Sequence, residues 1–273
     1  MQNQKNGAAD LYLELMKLSL LGAIYPKLDS VIWPPSYPVR WFLRKILPAS
    51  VSLSRRISPE EDGKLWPSHA YTMVGTKRLE NIQFCVEAAL KQKVPGDLIE
   101  TGVWRGGSVI FMRALLKAHG IIDRTVWVAD SFAGLPKPNA EKYPADAGDV
   151  HHFISDLAVP LEQVQANFKV FDLLDEQVRF LKGWFKDTLP QAPMEQVAVA
   201  RLDGDIYEST MDALVPIYPK LSVGGYLIVD DYHSAPACKK AIQDYRDVHR
   251  ITDAIQEIDG VGVFWQKTVP LKN

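Results

Sequence analysis

The sequence predicts an α/β protein: a parallel sheet with helices on both faces, preceded by a helical and irregular segment. Three observations predict it. From about residue 76 short apolar runs alternate with helical patterns. The short runs are apolar nearly throughout, as in strands buried on both faces. Four of the five run ends carry carboxylates, and an open parallel sheet binds its ligands beyond its strand ends.

The elements follow in order. A chain of 273 residues, 47% apolar and 23% charged, suits one domain with an appendage. Leu11 to Tyr25 reads as an amphipathic helix with Leu11, Leu15, Leu18 and Leu21 on one face. Glu14 and Lys17 interrupt it, so it predicts no membrane span and no signal peptide. It should pack on its own protein or on a second subunit. Residues 26 to 70 hold Pro26, Pro34, Pro35, Pro38, Pro48, Pro59 and Pro67, which forbid long helices and central strands. Trp33, Tyr37, Trp41, Phe42 and Trp66 lie among them, too many aromatics for a free linker. Residues 1–70 therefore read as a lid arm and 71–273 as the sheet domain.

Lys77 to Lys93 places Leu79, Ile82, Val86, Ala89 and Leu90 on one helical face, and Pro95-Gly96 ends it. Strands are predicted at 97–103, 125–130, 177–183, 197–203, 225–231 and 261–267. Helices are predicted at 108–119, 162–168 and 234–249, the last with Ser234 as N-cap and Pro236 in its first turn.

Composition narrows the partners. Lys plus Arg is 31 against 33 acids, a net charge of -2, so no general attraction to nucleic acid is expected. Cys85 and Cys238 form no disulfide framework or zinc site and fit a reducing compartment, the cytoplasm.

The strand ends carry the chemistry. The first reads Glu100-Thr101-Gly102-Val-Trp-Arg-Gly-Gly, a tight acidic and glycine turn without the GxGxxG spacing of a dinucleotide site. It suits a ligand such as S-adenosylmethionine, which brings no pyrophosphate. Asp130 ends the second strand, where an acid can accept hydrogen bonds from ribose hydroxyls. Asp203, Asp205, Asp230 and Asp231 end the fourth and fifth. Such clustered carboxylates repel unless protons or a cation compensate, and oxygen-only ligands favour Mg²⁺, with Mn²⁺ as the alternative. A cation beside a methyl donor would hold an acceptor hydroxyl in line and lower its pKa. Asp205 is the candidate base, with Lys182 and His233 as weaker ones. His151 and His152 are further polar groups near the site.

The blocks GDLIETGVWRGG (96–107), VADSFAGLP (128–136), LKGWFKDTLP (181–190), RLDGDIYEST (201–210) and GGYLIVDDY (224–232) occur in order, and together they resemble the macrocin O-methyltransferase, or TylF-type, family. The resemblance runs from about Tyr71 to Gln266. It implies a Rossmann-like class I methyltransferase sheet and an S-adenosylmethionine- and Mg²⁺-dependent enzyme that methylates a sugar or polyol hydroxyl of a small natural product. Position by position it implies that Glu100, Thr101 and Gly102 line the methionine part of the cofactor and that Tyr71, Thr72 and Met73 form a cofactor-contacting segment. Asp130 and Ser131 would hold its ribose, and Gly183, Trp184 and Phe185 would flank its adenine. Asp203, Asp230 and Asp231 resemble the metal ligands and Asp205 the general base. Some relatives pair as dimers, and the aromatic arm is compatible with a homodimer.

The resemblance weakens before residue 70 and between about Lys137 and Phe153. The second stretch is long for a loop in a compact domain, which points to a functional lid or acceptor wall. Two rivals stand beside this reading. One is an NAD-dependent dehydrogenase, which lacks its glycine fingerprint and a Tyr-x-x-x-Lys pair here. The other is an idle small-molecule-binding module of the same fold.

Overall fold

The computed structural model describes residues 7–24, 31–32, 66–67 and 69–271. Of the arm read at 26–70, Val31–Ile32 and Trp66–Pro67 form a short antiparallel pair. The rest of it, His69 and Ala70 apart, lies outside the described residues.

Five strands run parallel: β1 (Asp97–Thr101), β2 (Val126–Asp130), β3 (Val178–Lys182), β4 (Val197–Leu202) and β5 (Leu221–Val229). With β6 (Gln256–Glu257) and β7 (Val263–Gln266) they form one sheet in the order β3-β2-β1-β4-β5-β7-β6. The strand order reverses between β1 and β4, so the crevice beyond their carboxyl ends is the natural ligand site.

The expectation of a parallel sheet is corrected at one edge, because β7 runs antiparallel to β5. The cause is local. Asp259 Oδ1 accepts hydrogen bonds from the backbone of Val261 and Gly262, both at 3.0 Å. That turn folds β6 and β7 into a hairpin, and the last strand enters the sheet reversed.

Helices cover both faces. Alternation along each strand sends Leu98, Val126 and Val128 to one core and Ile99, Trp127 and Ala129 to the other. The first core is closed by α1 (Ala8–Leu20), α2 (Thr76–Lys91), α3 (Gly107–Ala118) and α4 (Leu161–Val170). The second is closed by α6 (Tyr207–Ile217) and α7 (Pro236–Val248), with the single turn α5 (Phe185–Thr188) at its edge. Burying one large apolar side chain contributes roughly 1.5–3 kcal/mol, and Phe111, Phe168, Leu98 and Trp265 are fully buried.

Three element readings change. α1 docks through Leu13, Met16 and Leu20, while of the expected row Leu11, Leu15 and Leu18 stay exposed and Leu21, just beyond the helix, is buried. α6 was not expected, since Ile206, Thr210, Val215 and Pro216 mask its helical pattern. Ser234 does not cap α7. Ala235 is the N-cap, and the Ser234 hydroxyl bonds the Asp231 carboxylate at 3.2 Å.

Candidate active site

A cavity of about 560 Å³ opens beyond the carboxyl ends of the parallel strands. Its glycine turn is sterically obligatory. Gly102 has φ +78°, and a Cβ there would stand 1.9 Å from the Asp203 carbonyl oxygen. The close approach of the β1 and β4 ends thus requires glycine. Gly107 likewise lets α3 start against Tyr71 and Thr72, where a Cβ would meet the Tyr71 carbonyl at 2.6 Å.

The structure brings most of the predicted residues together. Thr72, Met73, Glu100, Gly102, Asp130, Ser131, Trp184, Phe185, Asp203, Asp205, Asp230 and Asp231 all line the cavity. Tyr71, Thr101 and Gly183 do not. The Tyr71 ring packs edge-on against Phe171 at 4.9 Å, while its carbonyl accepts the Gly107 N–H at 2.9 Å. Tyr71 therefore anchors the segment that presents Thr72 and Met73. Thr101 follows Glu100 on β1 and leaves the strand on the other face. Gly183 donates its backbone N–H to the Asp130 carbonyl at 2.9 Å, which ties the β3 end to the β2 end.

Asp130 is already engaged. Its oxygens accept the N–H groups of Val103 at 2.7 Å and Phe132 at 2.6 Å, which ties the β1 turn to the β2 end. Burial still raises its pKa, against the pull of those backbone donors. Trp104, which sequence reading passed over, faces the cavity and donates its indole N–H to the Asp156 carbonyl at 2.8 Å.

The acidic end rests on two arginines that sequence reading also missed. Arg201 lies on β4 beside Glu100 on β1. It is fully buried, pairs with Glu100 and Asp230, and reaches Asp203 at 3.0 Å. Arg78 of α2 bonds Asp230 at 2.6 Å and Asp259 at 2.7 Å. One signal was present: Arg201 and Asp203 are two apart at a strand end and so share a side. The reach of Arg78 depends on tertiary packing and leaves no local trace.

Two guanidinium groups do not balance this cluster. Burial, then the charges of Asp203, Asp149 and Asp230, push the Asp205 carboxyl up to about 8. Burial, then Asp205 and Asp230, raise Asp231 to about 7. Glu100 rises to about 8, mainly by burial and despite Arg201. Asp203 is raised by burial and by Asp231 and Asp230. Asp230 alone is lowered, because Arg201 and Arg78 outweigh the burial that would raise it.

Oxygens of Asp203, Asp205 and Asp231 lie within 4.8 Å of one another. Asp231 Oδ2 and Glu100 Oε2 are buried without a hydrogen-bond partner. Asp205 holds a left-handed backbone, φ +54°, which aspartate tolerates better than most residues. The weaker base candidates lie elsewhere. His233 pairs with Glu257 at 2.7 Å, and Lys182 is exposed outside the cavity. Cys85 and Cys238 are buried and unpaired. Among the described residues no helix is long and apolar enough to cross a membrane.

Comparison with known proteins identifies relatives of this chain. The family model for macrocin O-methyltransferase (TylF) matches residues 9–267. The 8-demethyl-8-(2,3-dimethoxy-α-L-rhamnosyl)-tetracenomycin-C 4'-O-methyltransferase of Streptomyces olivaceus is 53% identical over 96% of this chain and 94% of its own. The demethyldecarbamoylnovobiocin O-methyltransferase of Streptomyces niveus is 49% identical over 97% of this chain and 96% of its own. The solved structure of the O-methyltransferase NovP superposes with a TM-score of 0.84 at 48% identity, covering 96% of this chain and all of that one. The dehydrogenase reading is thereby set aside, and the chain belongs to the macrocin O-methyltransferase family.

Proposed function

We propose that the chain transfers a methyl group from S-adenosylmethionine to a sugar hydroxyl of a small natural-product glycoside, assisted by a divalent cation. The observation that carries it is the crowding of Asp203, Asp205, Asp230 and Asp231 on the wall of the cavity at the sheet crevice, where oxygens of Asp203, Asp205 and Asp231 lie within 4.8 Å of one another. The sugar acceptor is supported by relatives whose names describe rhamnosyl and novobiocin substrates.

The residues fit a hard cation. The donors are all oxygens, Asp231 Oδ2 is buried without a partner, and the carboxyls repel one another. Asp203 and Asp231, whose oxygens converge, would hold it, with Asp230 as the third ligand beside them. Asp230 keeps lone pairs beyond its bonds to Arg78 and Arg201, which fix its orientation. When bound, Mg²⁺ or Mn²⁺ supplies Lewis acidity that makes an acceptor hydroxyl more acidic.

The residues also fit the methyl donor. Glu100 Oε2, buried and unpartnered at the cavity, suits the ammonium of its methionine end. Thr72, Met73 and Gly102 line the same cavity. Asp130 and Ser131 would take the ribose, and Trp184 and Phe185 would flank the adenine. Asp205 would accept the proton that the acceptor hydroxyl loses as its oxygen bonds the methyl carbon and the carbon–sulfur bond breaks, releasing S-adenosylhomocysteine.

The test offers labelled S-adenosylmethionine, Mg²⁺ and the two glycoside acceptors named for the relatives, each beside its aglycone. One methyl group added to the sugar, and none to the aglycone, is the expected result. Transfer to the aglycone, or no transfer at all, overturns the reading.

A further inference from the structure

The stretch between Lys137 and Phe153 is where the family resemblance gives least guidance, yet the structure fixes it firmly over one side of the cavity. Asp146 is buried and reaches across to the start of α6. Its two oxygens accept the N–H groups of Tyr207 at 2.6 Å and Glu208 at 3.0 Å. These are orphan donors of a helix N-terminus, satisfied here by a residue from a distant loop. The Tyr143 and Tyr207 rings add a contact at 5.7 Å. The loop is therefore anchored at the β4–α6 junction, next to Asp205.

Three residues further on, Asp149 holds His151 twice. One carboxylate oxygen accepts the His151 backbone N–H at 2.9 Å, and the other meets the ring Nδ1 at 2.6 Å. A carboxylate on Nδ1 favours the proton there and leaves Nε2 as an acceptor. His151 lines the cavity. The charge of Asp149 is felt at Asp205, so this pair stands on the acidic side of the cavity. Of the loop side chains facing the cavity between Gly134 and Leu157, only Lys137 and His151 are polar, and Lys137 only donates.

We propose that His151, oriented by Asp149, positions the acceptor by taking a hydrogen bond from a sugar hydroxyl. The inference rests on the reading of the chain as a glycoside O-methyltransferase. The hydroxyl bound by His151 keeps its proton and stays unmethylated; a neighbouring hydroxyl reacts. A glycoside with that hydroxyl removed should bind more weakly, and the loss should vanish once His151 is replaced.

The experiment uses the full chain and whichever of the two named glycosides it methylates. His151→Ala should raise the acceptor KM by about tenfold, the worth of one hydrogen bond of roughly 1.4 kcal/mol. The KM for S-adenosylmethionine and the affinity for S-adenosylhomocysteine should stay unchanged. His151→Gln, which keeps an acceptor, should recover most of the loss. Asp149→Ala should raise the acceptor KM too, and the double variant should be no worse than His151→Ala alone, because Asp149 acts through the ring. Unchanged acceptor KM in His151→Ala with an active wild type overturns the inference and leaves the functional reading standing. Additive losses in the double variant overturn the positioning role of Asp149. A wild type that methylates neither glycoside removes both readings together.

Discussion

Arg201 shows how the site is held. Its guanidinium is fully buried, with Glu100, Asp203 and Asp230 around it. Removing one partner from a buried ion pair leaves uncompensated charge and costs about 3–5 kcal/mol. Arg201→Gln is expected to lower the denaturant-derived stability by about that much. A loss below about 1 kcal/mol would show that the carboxylates rearrange around the gap. Titration gives a second expectation. Burial and neighbouring carboxylates raise Asp231 to about 7 and Glu100 and Asp205 to about 8, whereas unfolded carboxyls titrate at about 4. Between these limits the folded state binds more protons than the unfolded one, so stability falls as pH rises from about 4 to about 8. Melting curves in a chelator should show this decline. Added Mg²⁺ should stabilise most at the alkaline end, because binding displaces those protons. A melting temperature that climbs over the same range would contradict the assignment.

The anchoring of the loop to α6 makes a separate prediction. Asp146 caps that helix from outside its own chain segment, and losing such a cap costs roughly 0.5–2 kcal/mol. Asp146→Ala should destabilise by that amount and speed hydrogen exchange in residues 140–155 far more than in β1 or β4. Uniform exchange change, or none in the loop, would mean that other contacts hold it. Sequence reading found ten of the principal elements close to their observed bounds, because their apolar periodicity is local. It missed α6, whose β-branched residues and Pro216 speak against a helix that tertiary packing nevertheless forms. It also missed the reversal of β7, since the direction of a strand depends on the turn at Asp259 rather than on its own residues. The N-terminal helix was legible, but its docking face was not: Leu13, Met16 and Leu20 pack inward while the more conspicuous leucines face outward.

Across the molecule, the sheet order explains why residues from Thr72 to Asp231 meet. The parallel strands all end at one rim, and the reversal between β1 and β4 opens a crevice there. The carboxylates were legible because they stand at strand ends. Arg78, Trp104 and Asp146 were not, because each reaches the rim through packing between segments far apart in sequence; the Asp149–His151 pairing is local, but only the fold carries His151 to the cavity. On the proposed function, the acidic cluster should hold a cation needed for methyl transfer, while the methyl donor should bind the cavity independently of it. The most direct measurement compares turnover with S-adenosylhomocysteine binding in the wild type, with and without chelator, and in Asp203→Asn and Asp231→Asn. Chelation and either substitution should cut turnover at least 100-fold, an expectation of roughly 2.7 kcal/mol or more in the transition state, while binding changes only a few-fold. Full turnover in the presence of chelator would show that no cation takes part in the reaction.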